Sequence, residues 1–413
     1  VAGSGGSPSG GGGSGGTSSG GAGRGGAAGS AGGGSGGSAG DGTRWVATWG
    51  SGQQLTEPAN NPPSPLAGNT LRQFAYVSIG GSRLRVRFSN VFGNGPVTLN
   101  NVHVARATSG SGIDTSTDRA LTFFGFAAVT IEAGQEVWSD AFNFALTAQS
   151  RLAVSIHFGA VPSGITGHPG SRTTSYLQTG SAVSAATLSG SSTDHWYYLT
   201  AIDVEAAAPA AAVVTLGDSI TDGRGSTTNG NDRWPDALSR RLRANTPTQT
   251  VAVVNQGIGG NAVVSGGLGP TAIQRFQRDV IGVSGVKWVI VLEGVNDIGG
   301  STGSQIADQL IQAYQGFIQS AHAANLLIYG VPILPFEGNS YYTQPHENAR
   351  QTVNSWIRTS GAFDDVIDLD AAVRDPAMTT RLLSTYDSGD GLHLNPAGYQ
   401  RMADSIPLTL FPP

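Results

Sequence analysis

The rhythm of hydrophobic and polar positions changes twice along this chain. Over residues 43–205 the apolar positions come in short alternating runs. Leu84, Val86 and Phe88 alternate with Arg83, Arg85 and Arg87, the period of two that a strand with one buried face requires. Leu152, Val154, Ile156 and Phe158 repeat the pattern, with Ala153, Ser155 and His157 on the other face. Further strands are predicted over 97–105, 136–146 and 195–204, separated by clusters of Gly, Pro, Asn and Ser. Regular short strands of this kind predict an antiparallel β-sandwich over 43–205, jelly-roll-like, without a long helix.

A stretch of small residues at 206–212, broken by Pro209, marks the second change. Beyond it, nearly continuous Val, Ile and Leu runs at 212–216, 250–255, 288–292, 326–331 and 365–369 alternate with amphipathic segments. That pattern predicts an α/β domain over 206–413, with a five-stranded parallel sheet covered on both faces. A helix over 305–324 would place Ile306, Leu310, Tyr314 and Ile318 on one stripe. Another starts at Trp234, where Pro235 suits the first turn. Residues 1–42 have no such rhythm. About half are glycine and most of the rest serine and alanine, with Arg24 the one charge before Asp41. Such a segment cannot bury enough apolar surface to offset the entropy of ordering, so it is expected to be a disordered Gly/Ser-rich linker, either a tether or a plain tail.

Composition narrows the class. A chain of 413 residues exceeds one ordinary core and fits two domains plus extras. The net charge of −5 gives no reason to expect nucleic acid or an anionic membrane surface as partner. No apolar run reaches the roughly 18 residues a membrane span needs. Cysteine is absent, which removes disulfides, thiolate metal sites and cysteine nucleophiles together. Lys287 is the single lysine among the basic residues, a bias that fits GC-rich codon usage and a bacterial source. No charged segment followed by an apolar one opens the chain, so any export signal is expected to have been removed from a secreted or cell-surface protein. Nothing in the pattern specifies an oligomer.

The chemistry concentrates in four loops. Gly217-Asp218-Ser219-Ile220 follows the first α/β strand, 257–260 follow the second, and Gly294-Val295-Asn296-Asp297 follow the third. Asp390-Gly391-Leu392-His393 lies near the C-terminus. Ligands of open α/β sheets bind outside the carboxyl ends of the strands, so these loops are expected to converge on one crevice. A serine hydroxyl attacks an ester only when a neighbouring base takes its proton. His393 can be that base, and Asp390, three residues earlier, can orient its ring. The tetrahedral oxyanion then needs donors, which the Ser219 N–H, the Gly260 N–H and the Asn296 side-chain amide can supply.

These blocks, with Asn255-Gln256-Gly257-Ile258-Gly259-Gly260 among them, together resemble the SGNH or GDSL hydrolase superfamily, with Ile220 where leucine is usual. The resemblance runs from about Val213 to the C-terminus. It implies a flavodoxin-like three-layer domain, a serine esterase that needs no cofactor or metal, Ser219 as nucleophile, Asp390 and His393 completing the triad, and Gly260 and Asn296 in the oxyanion hole. The text around 233–236 and 291–299 is most similar to a subgroup associated with xylan degradation, which implies short acyl esters, often acetyl, on plant polysaccharide.

Other readings compete residue by residue. Gly257-Ile258-Gly259 with Ala262 fits a dinucleotide-binding glycine pattern and Asp279 lies about twenty residues on, but that loop should follow the first strand of its domain and the acid should end the next strand. Asp218 and Asp297 are expected to anchor loop backbone or cap helices. Asp387 is a rival to Asp390. His103, His157, His168, His195, His322 and His346 are expected on surfaces or strand faces, with His168-Pro169-Gly170 within reach of the crevice rim. The arginines at 83, 85 and 87 share one strand face, expected to be a solvated one that protects an edge strand, with contact to an acidic sugar as the alternative. Phe336, Tyr341 and Tyr342, after the fourth strand, are candidates for stacking on substrate. The class-level alternatives are a carbohydrate-binding protein with an ancillary hydrolase-like domain, and a lipase or acyltransferase with the same triad.

Overall fold

The computed structural model describes residues 42–301 and 305–412. The tether expected over 1–42 therefore lies, but for its last residue, outside the described residues.

Continuous burial drives the C-terminal half. Every residue of β1 (Ala211–Gly217) is buried, and it is flanked in parallel by β2 (Val251–Gly257) and β3 (Val286–Leu292). Then β4 (Leu327–Gly330) and β5 (Asp365–Val366) extend the sheet, giving the order β2-β1-β3-β4-β5. The chain leaves β1 on one side and returns to it on the other, which makes a switch point at its carboxyl end. Gly217 pairs with Gly257 and with Leu292, so three strands finish level and their loops start from one line. Among the covering helices, Ile306–Ala323 buries the predicted stripe of Ile306, Leu310, Tyr314 and Ile318, and Trp234–Ala244 starts with its proline in the first turn. The strand predicted over 365–369 ends at Val366, and Leu369 opens a helix capped by Asp368.

The N-terminal half is mostly β, in two principal antiparallel sheets. One joins Thr43–Gly50, Leu199–Ala207 and Gly81–Ser89, with Glu136–Trp138 and Phe142–Leu146 both on the far side of Gly81–Ser89. The other is centred on Asn69–Val77, Ser150–Phe158 and Val97–Arg106. A small third sheet, separate from these, joins Gln54–Leu55, Thr166–His168 and Trp196–Tyr197. Two predicted strands are interrupted. Residues 136–146 break where Asp140 accepts from the Thr122 hydroxyl and the N–H groups of Phe124 and Gly125, and 195–204 break at Tyr198, whose φ is +61°.

The expectation for Arg83, Arg85 and Arg87 is corrected. Gly81–Ser89 is paired on both sides, so it is not an edge strand, and its polar face is covered in large part. Arg85 pairs with buried Asp203 at 2.7 Å, donates to Ser284 Oγ before β3, and lies over the rings of Trp45 and Trp138. Arg87 faces Glu136 and Arg83 faces Glu205. A period-two pattern reports two faces but not what covers the second. Here the α/β half covers part of it, and backbone and side-chain bonds join the halves: Ala47 N–H to Ser284 O, Val253 N–H to Ser78 Oγ and Gln149 Nε2 to Ser239 Oγ. Most buried apolar residues of both halves form one continuous cluster, with Phe74, Ala105, Ile113 and Ala153 in a small separate one.

Candidate active site

Ser219 opens a single helical turn, Ser219–Asp222, directly off β1. Asp218 caps that turn by accepting the Ile220 N–H at 2.9 Å. The turn folds tightly back because Gly217 has no Cβ; one built there would sit 2.0 Å from Thr221 Oγ1. Across the crevice, Asp390 Oδ1 accepts the N–H groups of Leu392 and His393, at 3.0 and 2.8 Å, which shapes the loop that carries the histidine.

The side chains meet in a line. Ser219 Oγ is 2.8 Å from His393 Nε2, and His393 Nδ1 is 2.6 Å from Asp390 Oδ2. Burial lowers the His393 pKa below the ordinary imidazole value, against the opposing pull of Asp390. The ring is thereby kept neutral and able to accept a proton. Burial pushes Asp390 up, but the N–H and ring of His393 outweigh it and hold the carboxyl below its ordinary range. Asp387 is occupied elsewhere, accepting the N–H groups of Gly389 and Gly391.

Asn296 lies in the helical turn Val295–Gly299 after β3. Its Nδ2 donates to Asn261 O at 2.8 Å and its Oδ1 accepts from the Tyr341 hydroxyl at 3.0 Å. Both ends of the amide are held, so it cannot flip, and one of its two N–H bonds remains directed elsewhere. Gly260, with φ +72°, lies in the turn after β2. Asp297 ties the two loops together, accepting the N–H groups of Val263 and Val264 at 2.7 and 2.8 Å. Asp218 and Asp297 are thus both backbone anchors.

One groove of about 390 Å³ exposes these groups, and both halves of the chain line it. Ser219, Gly260, Asn296, Tyr341 and His393 come from the α/β half; Gln54, Glu57, Asn60, Arg172 and His195 come from the β half. His168 stands behind that wall, buried and stacked on Trp196, with Nε2 2.9 Å from Asp222 Oδ1 and Nδ1 2.7 Å from Gly52 O. It couples the β half to the turn that carries Ser219. Of the three aromatic candidates only Tyr341 reaches the groove. Phe336 is fully buried, filling the core with its edge against Tyr342, and Tyr342 is half-buried. Sequence reading also missed Arg275. Its buried guanidinium donates to Gly217 O at the end of β1, Gln256 O in β2 and Asn261 Oδ1, and pairs with Glu293 after β3. One side chain therefore fixes the spacing of three site loops.

Residues 215–401 match the GDSL-like lipase/acylhydrolase family. That segment belongs to the family. The chain is accordingly a carboxylic ester hydrolase of the GDSL type. Its fold is similar to a GDSL-like lipase from Bacteroides thetaiotaomicron, 20% identical over 47% of this chain and 84% of that one, with a TM-score of 0.35. A catalytic mutant of an acetylxylan esterase from Geobacillus stearothermophilus is 20% identical over 47% and 91%, with a TM-score of 0.36. An alpha/beta hydrolase enzyme from the metagenome of Lake Arreo, Spain, is 19% identical over 48% and 94%, also at 0.36. No curated protein matches the chain. The GDSL segment begins within β1 and ends in the last described α-helix, Pro396–Asp404, so the β half that lines the groove lies outside it.

Proposed function

We propose that the chain hydrolyses short acyl esters, acetyl foremost, of a polyhydroxylated alcohol such as a plant polysaccharide, through an acyl-enzyme. The carrying observation is the 2.8 Å contact of Ser219 Oγ with a neutral imidazole held from behind by Asp390. Ser219 attacks the carbonyl as His393 takes its proton, the oxyanion meets the N–H groups of Ser219 and Gly260 and the free amide N–H of Asn296, and His393 then protonates the leaving alcohol. Water, deprotonated by His393, releases the acid in the second step. The reading of a polar alcohol and a short acyl group is supported by the lining: Gln54, Glu57, Asn60, Arg172, Arg224 and His195 surround the serine, and Leu268 and Leu392 are the only aliphatic side chains beside them apart from Pro169. A long acyl chain would leave its apolar surface against polar walls. Export to where such polymers occur goes with this reading; no described helix is long and apolar enough to cross a membrane. A carbohydrate-binding role with an idle hydrolase domain is disfavoured by the fully assembled set of catalytic groups.

A series of nitrophenyl esters of increasing acyl length, followed by acetate release from acetylated xylan and pectin, tests the substrate. We expect kcat/KM to be highest for acetyl and to fall with each lengthening; a rise towards long chains would make the protein a lipase. The pH profile tests the base. His393 must be neutral to act, so activity rises with pH as it loses its proton, and burial places that midpoint below the ordinary 6.5. An acid limb of kcat/KM centred above 6.5 would contradict His393 as the group that titrates.

A further inference from the structure

Two arginines on the groove have no protein partner. Every other arginine among the described residues donates a side-chain hydrogen bond or forms an ion pair; the side chains of Arg172 and Arg224 do neither, and both line the groove that holds Ser219 and His393. Arg172 Nε is buried and still lacks an acceptor, a state that costs free energy unless something arrives to satisfy it. The backbone holds each residue in place. Arg172 adopts φ +50°, a conformation unfavourable for a side chain of its size, while its carbonyl accepts the Asn229 N–H at 2.9 Å. Arg224 is fixed to the nucleophile's own turn, its N–H donating to Ser219 O at 2.9 Å and its carbonyl accepting from the Tyr399 hydroxyl.

The groove's two carboxylates, by contrast, are already engaged. Glu57 accepts from the side-chain amides of Gln54 and Asn60, and Asp222 Oδ1 faces His168. We propose that Arg172 and Arg224 form a subsite for a carboxylate on the alcohol half of the ester, as in a uronic acid unit of an acidic polysaccharide. This deepens the esterase reading above and rests on it. Guanidinium groups pair with carboxylates through short, charge-assisted and often bidentate bonds, so two unengaged ones beside a catalytic serine recognise an anion better than a neutral hydroxyl. The alcohol side follows from the mechanism. His393 hands its proton to the leaving oxygen, so the alcohol departs past His393, which lines the same groove as Arg172 and Arg224, and both of their charges act on that imidazole. The oxyanion donors Gly260 and Asn296 come from other loops, those after β2 and β3. The β half thus contributes Arg172, and the GDSL segment Arg224, to one selective site.

The test compares three acetylated methyl glycosides on the whole chain: the glucuronate, its uronamide, in which a neutral amide replaces the carboxylate, and the glucose 6-phosphate. We expect kcat/KM for the glucuronate to exceed that for the uronamide by on the order of tenfold or more. That ratio should fall towards one in the double variant Arg172→Gln/Arg224→Gln, survive in part in Arg172→Lys/Arg224→Lys, and shrink for the unmodified protein as salt is raised. The salt series keeps the test valid if a variant fails to fold. A ratio near one in the unmodified protein, or one that the double Gln variant retains, overturns the subsite, and a preference for the phosphate over the glucuronate overturns its assignment to a carboxylate. If nitrophenyl acetate is hydrolysed and neither the glucuronate nor the uronamide is, the esterase reading stands and the subsite falls. If nitrophenyl acetate is not hydrolysed either, the esterase reading itself falls.

Discussion

Replacing Ser219 with alanine is expected to lower kcat for ester hydrolysis by on the order of 10⁴-fold or more, while the protein stays folded. The size follows from the geometry. Ser219 Oγ is the hydroxyl within 2.8 Å of the His393 ring, and without it the imidazole has no nucleophile to activate. What survives is the electrostatic help of the oxyanion donors to direct attack by water, which accounts for a small residue of activity. The fold should tolerate the change because the hydroxyl's bond is to His393 alone, and the turn itself is held by Asp218 capping Ile220 N–H and by Arg275 on Gly217 O. A thermal melt matching the parent protein, with activity gone, is the expected pair of results. Retention of most activity would remove Ser219 from the mechanism.

Asn296→Ala should cost about 10² to 10³ in kcat with KM little changed, since the lost hydrogen bond matters where charge develops and not to the bound ester. The amide is unusually well placed for this. Asn261 O holds one N–H and the Tyr341 hydroxyl holds the oxygen, so no reorganisation is needed when the oxyanion forms. Tyr341→Phe removes one of those two restraints and should lower kcat by less, again with KM near its original value. A rise in KM without a fall in kcat, in either variant, would make Asn296 a ground-state binding residue.

The parts of this site that could be read in the sequence are those built from local chain. Ser219 and the Asp390 to His393 loop are set by caps and turns a few residues long, and Gly260 and Asn296 follow buried strands whose apolar runs are nearly unbroken. Of the β half's share of the groove only Pro169 and Gly170 were legible, because Glu57, Arg172 and His195 come to the groove only through the packing of one sheet system against another. Arg275 was hidden for a related reason: an arginine in an amphipathic segment reads as solvated until the carbonyls that surround it are known. Aromatic residues in a loop carry the same ambiguity. Phe336 went into the core and Tyr341 to the groove, and composition alone does not separate the two outcomes.

The central claim is that Ser219 becomes the acyl carrier. It is tested most directly by treating the protein with a nitrophenyl alkylphosphonate, which a serine activated in this way attacks and retains, and locating the adduct by mass spectrometry of the digested chain. The expected result is one phosphonyl group per chain, on the peptide that contains Ser219, with hydrolysis lost in proportion to labelling and no label in Ser219→Ala. Labelling at a different residue in step with the loss of activity, or full inactivation with Ser219 unmodified, would contradict it.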